Sequence, residues 1–202
     1  MKLAISSDFG DVFSILIASI FLPFLPLLPI QMLLQDFLFQ FSQIAIPYDS
    51  VDEEYIIKPR KWDTKNLGRF MVVMGMTSSV IDVIAFAIFW FILGYNSVAN
   101  EAYFQTAWFI ECLISQTLII HFIRTEKVPF IESRASNSLI AMSSVTIIGT
   151  ILVPILLHSI TEFHFVILPA KFYLVVLILI FIYTILSQIV KKKYIKKYHE
   201  WL

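Results

Sequence analysis

Residues 3–46 read LAISSDFGDVFSILIASIFLPFLPLLPIQMLLQDFLFQFSQIAI, and this stretch decides the architecture. A continuous helix over it would be about twice as long as the roughly 30 Å hydrocarbon layer of a bilayer is thick. Pro23, Pro26 and Pro29 lie within seven residues near its middle. Each proline removes a backbone donor and clashes with the preceding turn, so the stretch must fold as a helical hairpin. Two apolar spans are predicted, Leu3–Leu22 and Leu27–Ile46. Four more follow, at Leu67–Gly94, Phe104–Ile123, Leu139–Leu157 and Pro169–Val190.

The rest of the chain agrees with an all-α, polytopic membrane protein built as a six-transmembrane-helix bundle. Hydrophobic residues make up 58% of the 202 residues and charged residues 15%, against about 25% charged in soluble domains. Six spans of about 20 residues leave room for loops but not for a folded soluble domain. Cys112 is the only cysteine, which rules out an intrachain disulfide and a thiolate metal site. Asp8 and Asp11 interrupt the first apolar stretch and no small-x-small motif follows, so no cleaved leader is expected.

Orientation follows from the basic residues. With the first end inside, the inner segments hold Lys2, then Lys58, Arg60, Lys61, Lys65 and Arg69. They also hold Arg124, Lys127 and Arg134, and finally Lys191, Lys192, Lys193, Lys196 and Lys197. Those are 14 of the 15 Lys and Arg residues, with Lys171 alone outside. This asymmetry is the positive-inside signature and predicts both termini in the cytoplasm. Dropping one span would invert every later loop and scatter the bases. Trp62, Trp108 and Trp201 suit interfacial belts, while Trp90 sits deeper. The basic tail reads as an anchor on anionic lipid rather than as a nucleic-acid contact.

Five carboxylates fall inside the spans: Asp8, Asp11, Asp36, Asp82 and Glu111. Each costs at least about 2.5–3.5 kcal/mol to insert when ionised. No intramembrane Lys or Arg pairs with them, so a cation or a proton is the natural counter-charge. Protonated carboxyls bonded between helices are the structural alternative. Asp8 and Asp11 share a helix face at i,i+3, beside Ser7 and Gly10, which permit close helix approach. Asp36, Gln40 and Gln43 share a face of the second span, and the hairpin is expected to oppose the two stripes. Hard oxygen donors of this kind suit Mg²⁺ or Ca²⁺. Gly75, Ser78 and Ser79 read as packing residues beside Asp82. Glu111 shares a face with Ser115 and is expected near the outer surface, with Gln116 pointing elsewhere. His121, His158, His164 and His199 form no ligand pattern, and no phosphate loop or nucleophile motif occurs.

Several runs resemble the C-terminal membrane region of bacterial magnesium-transporting P-type ATPases, their fifth to tenth membrane helices. They are FLPFLPLLP (21–29), SQIAIPYDSVDEE (42–54), KPRKWD (58–63), LGRFM (67–71), SSVID (78–82) and SQTLIIHFIRTEKVPFI (115–131). The resemblance covers the whole chain and implies a Mg²⁺-translocating domain in a bacterial cytoplasmic membrane. Mg²⁺ is then the cargo, and no organic cofactor is implied. Pumps of this family build their ion site on the helices matching SSDFGD (6–11) and QDFLFQ (35–40). That implies ligand roles for Asp8, Asp11, Asp36 and Gln40, with Gln116, Asp82 and Glu111 as further candidates. The magnesium subgroup usually carries asparagines where Asp8, Asp11 and Asp36 stand, and an aspartate at Gln40, so this site is more acidic.

The family's phosphorylation motif DKTGT and hinge motif GDGxND are absent from these 202 residues. Phosphoryl transfer needs that aspartate, a nucleotide pocket and Mg²⁺. The residues alone are therefore expected to be inactive as an ATPase, as a truncated product, a split-gene half or an isolated domain. The implied partners are the bilayer, the phosphorylation, nucleotide and actuator domains, and the first four membrane helices. Two other readings stand beside this one: a stand-alone six-span cation or proton pathway, and a non-transporting membrane subunit.

Overall fold

The computed structural model describes residues 2–50, 64–198 and 201. Lys58, Arg60, Lys61, Trp62 and His199 lie outside the described residues. Among the described residues six long helices carry the fold: α1 (Lys2–Phe21), α2 (Pro29–Gln43), α3 (Thr64–Ala87), α4 (Glu101–Ile123), α5 (Asn137–Leu157) and α6 (Ala170–Tyr198). Among the described residues there is no β-strand.

Local sequence sets most helix ends. The segment between α1 and α2 is irregular where Pro23 and Pro26 stand, and Pro29 occupies the first turn of α2, where its missing N–H costs nothing. Pro47 then stops α2 early. The chain tightens into a 3₁₀ turn at Ile46–Tyr48, because Pro47 has no N–H to donate four residues back and its ring crowds the preceding turn. The α2 helix is thus 15 residues, about 22 Å long, and shorter than the predicted span. Among the described residues, four helical stretches are able to cross a membrane by length and apolar composition alone: Leu67–Ile92, Val98–Ile123, Asn137–Leu157 and Ala170–Tyr198. α3 runs on through a π-helical turn at Ile88–Ile92, with Leu93 N–H donating to the Ile88 carbonyl at 3.0 Å. Gly94 closes it at φ +77°, a left-handed conformation natural to glycine. The hydroxyl of Ser136 caps α5 by accepting from Leu139 N–H.

Successive helices alternate in direction, and their loops gather at two ends. At one end the Gln105 amide donates to the Leu25 carbonyl (2.9 Å) and Gln31 to the Phe163 carbonyl (2.7 Å). At the other, Arg124 pairs with Asp49 and reaches Ser133 Oγ and the Ser50 and Arg134 carbonyls. Asp49 also accepts from Ser136 N–H at 2.7 Å.

The core is centred on α4, which is buried along nearly its whole length. Neighbours in sequence are not neighbours in packing. α1 lies along α3, whereas α2 lies against α5 and α4. The proline segment therefore does not make α1 and α2 a packed pair, and their facing sides are held apart.

The α1–α3 crossing is close because both helices lack a side chain there. A Cβ on Gly75 would stand 2.7 Å from the Phe9 ring and 3.0 Å from the Ser6 carbonyl. Ser79 Oγ donates to the Gly10 carbonyl at 2.9 Å. Gly10, Gly75 and Ser79 thus serve the packing role read from the sequence.

The aromatics and the basic segment near the end of α6 are more buried than the sequence suggests. α6 continues to Tyr198, past the predicted end at Val190, so the basic segment is helical. Lys191 is 1% exposed and donates to the carbonyls of Phe122 (3.0 Å) and Lys127 (2.8 Å), at the C-terminal end of α4. A cation is favourable there, where unpaired helix carbonyls point outward. Trp201 is buried too, donating to the Ile123 carbonyl and packing on Phe70. Trp108 is likewise in the core. Both tryptophans pack against protein, and each indole N–H finds a buried acceptor.

Candidate functional site

Because α1 and α2 pack on different partners, a cleft of about 350 Å³ opens between them. Asp8, Asp11, Asp36, Gln40 and Gln43 line it, as do Gln35 and Phe39 of α2 and Trp108 of α4. The four residues singled out from the sequence therefore reach one space, although they come from two helices with different packing partners. Asp8, Asp36 and Gln40 are exposed in this chain, and no hydrogen bond joins them to another described residue.

Asp11 is the anchored member. Its Oδ1 accepts from the Cys112 thiol at 3.4 Å and its Oδ2 accepts from the Gln116 amide. The same sulfur receives the amide N–H groups of Gln116 (3.2 Å) and Gln35 (3.3 Å). A polar bridge thus runs from α1 through α4 to α2 across the floor of the cleft. Gln116, expected to point away, is drawn in because α4 is surrounded on all sides and has no outward face.

Asp82 and Glu111 stand apart from the cleft, between α3 and α4. Asp82 accepts from Ser14 Oγ at 2.6 Å and from the Trp108 indole N–H at 3.3 Å. Glu111 lies against Asp82 and is fully buried. It is central, not near an outer surface, because it falls at the middle of α4. Trp108 connects the two regions, with its ring in the cleft wall and its N–H on Asp82.

Sequence reasoning missed Gln35, Cys112, Trp108 and Ser14. Gln35 had a legible signal in its place beside Asp36, which makes α2 polar on two adjoining faces. The other three reveal their contacts only through interhelical packing.

The donor set is hard oxygen with amide support, suited to a small divalent cation that retains part of its water. The cleft gives the space for those waters. Among the described residues no three His, Cys, Asp or Glu side chains converge tightly enough to enclose a metal ion. The arrangement is thus an open, acidic vestibule and not a closed metal cage. Among the described residues no basic side chain pairs with these carboxylates, and the ion pair Arg124–Asp49 lies at the helix ends.

An apolar helical bundle with acidic side chains within its helices and an open cleft beside them defines a multi-pass membrane protein of the cation-transport class. Residues 24–193 match the family described as "Cation transporting ATPase, C-terminus", and the chain belongs to that family. It is 40% identical over 202 residues, all of this chain, to "Magnesium-transporting ATPase, P-type 1" of Salmonella typhimurium strain LT2. To the protein of the same description in Escherichia coli strain K12 it is 42% identical over 199 residues, or 98% of this chain. The match covers 22% of either relative, so the chain spans about a fifth of their length.

Proposed function

We propose that residues 1–202 are the ion-translocating membrane part of a magnesium-transporting P-type pump, with Mg²⁺ bound in the cleft between α1 and α2. The observation that carries this reading is the convergence of Asp8, Asp11, Asp36 and Gln40 on one cleft. The kinship with magnesium-transporting ATPases supports Mg²⁺ as the cargo. Asp8, Asp11 and Asp36 supply charge, and Gln40 a neutral oxygen. Gln116 holds Asp11 in place. Asp82 and Glu111 stand behind the cleft as a buried acidic pair. Mg²⁺ gives up its waters reluctantly, so only part of its six-fold shell need come from this chain.

All six helices cross the bacterial cytoplasmic membrane, with Arg124, Asp49 and the α6 terminus on the cytoplasmic side. The short α2 completes its crossing through residues 44–48, and α1 crosses beside α3. The exposed Lys192, Lys193, Lys196 and Lys197 then face anionic headgroups. The phosphorylation, nucleotide-binding and actuator domains and four further helices are the partners of this part. They supply the ATP chemistry, and their helices cover the exposed sides of α1 and α2.

The test is a chimaeric pump in which residues 1–202 replace the matching segment of the Escherichia coli relative. Mg²⁺ uptake is measured in cells that depend on it. Asp11→Ala and Asp36→Ala should each abolish uptake, whereas Glu162→Ala, at an exposed position of the 158–169 loop, should leave it intact. Wild-type uptake by both cleft variants would sink the assignment and make the carboxyls purely structural.

A further inference from the structure

The QDFLFQ run of α2 turns polar side chains to two sides. Asp36 and Gln40 are exposed in the cleft, while Gln35 sits one step round the helix, against α4, and still borders the same space. Gln35 is only 5% exposed. Its Nε2 is held at 3.3 Å from the Cys112 sulfur, a weak acceptor. Its Oε1 is buried and has no hydrogen-bond partner among the described residues. An amide carbonyl left unmet in an interior costs about 1–3 kcal/mol, and buried carbonyls nearly always have a partner. Gln31, one turn earlier, shows the usual outcome: its Nε2 donates to the Phe163 carbonyl and its Oε1 accepts from Leu28 N–H.

The position of the unmet oxygen says what would meet it. Gln35 Nε2 and Asp11 Oδ1 each lie within 3.4 Å of the Cys112 sulfur, so they are within about 7 Å of each other. Inner-sphere Mg²⁺–oxygen distances are about 2.0–2.1 Å. That upper limit leaves room for an ion bonded to the carboxylate that carries one of its waters toward the amide. The thiol holds the amide nitrogen, and so keeps the repulsive N–H groups turned away from a cation.

We propose that Gln35 is a specificity-determining residue whose carbonyl accepts a hydrogen bond from a water in the inner shell of the Mg²⁺ bound in the cleft. This inference rests on the cleft assignment made above. A water-borne contact favours Mg²⁺, which keeps its waters, over Ca²⁺, which exchanges them for 6–8 flexible oxygen ligands.

The experiment uses the chimaeric pump reconstituted in vesicles, with Mg²⁺ transport titrated in the absence and presence of Ca²⁺. Gln35→Met keeps the length and removes the acceptor. It should raise the KM for Mg²⁺ about tenfold, the usual weight of one hydrogen bond to a charged ligand shell. Its kcat should change little and Ca²⁺ should become a stronger competitor. Gln35→Glu retains an acceptor and should hold KM at or below the wild-type value. Gln35→Asn, which keeps the amide but withdraws it by one methylene, should raise KM and serves if the methionine variant fails to assemble. An unchanged KM and unchanged Ca²⁺ competition in Gln35→Met or Gln35→Asn, with Asp11→Ala inactive, would overturn this inference and leave the cleft assignment standing. Normal transport by Asp11→Ala would remove the cleft assignment itself, and this inference with it.

Discussion

Consider Gly75→Ala at the α1–α3 crossing. The added methyl would stand 2.7 Å from the Phe9 ring, 3.0 Å from the Ser6 carbonyl and 3.2 Å from the Gly10 nitrogen. The ring is able to swing aside. The two backbone atoms are not, so the helices must part by a few tenths of an ångström. That stretches the 2.9 Å bond from Ser79 Oγ to the Gly10 carbonyl. Overpacking of this kind costs about 1–3 kcal/mol, offset by up to about 1 kcal/mol of improved helix propensity. A net loss of about 1–2 kcal/mol is expected. Gly149→Ala, in α5, is the control, because its new methyl would meet nothing within 4 Å. It should stabilise by up to about 1 kcal/mol. Cys112 is the only cysteine and is 2% exposed, so thiol-dye labelling reports unfolding of the purified chain in detergent. If Gly75→Ala resists heat or denaturant as well as Gly149→Ala does, the close-contact reasoning is wrong.

Two further outcomes follow from the Arg124 end of the bundle and from the loops. Arg124→Ala removes the partner of Asp49 and three further contacts, and should cost about 3 kcal/mol. Arg124→Lys should recover little of this, since lysine lacks the forked donor geometry, and the same thermal assay reads both. Cysteines placed at Asn96 and Ser159 should label from outside intact cells while the buried Cys112 stays silent, and labelling of either only after permeabilisation would invert the topology.

How much of this was legible in the chain depends on the kind of force involved. The proline turn, the apolar lengths and the one-sided basic residues are local or one-dimensional signals. Solvation by lipid or water acts on them residue by residue, so the six helices and their alternation follow directly. Gly10 and Gly75 were readable for a similar reason: small residues beside polar ones mark close crossings. The candidate ligands were readable as well, because a carboxylate in an apolar run is costly wherever the run packs.

Partnership between helices was not local. Nothing in the order of residues says that α1 would leave α2 and lie on α3, yet that choice opens the cleft. It arises from which surfaces fit, glycine against glycine in one case and the all-round contacts of α4 in the other. The same packing carries Gln116 to Asp11, seats Trp108 on Asp82 and leaves the Gln35 carbonyl unmet. Burial of Lys191 and Trp201 depends on α4 ending beside α6 with its carbonyls exposed. Composition and spacing determined which elements form and which of their residues are too polar to be idle. Only the tertiary structure decided which of those residues meet, because interhelical contacts depend on shape across distant parts of the chain.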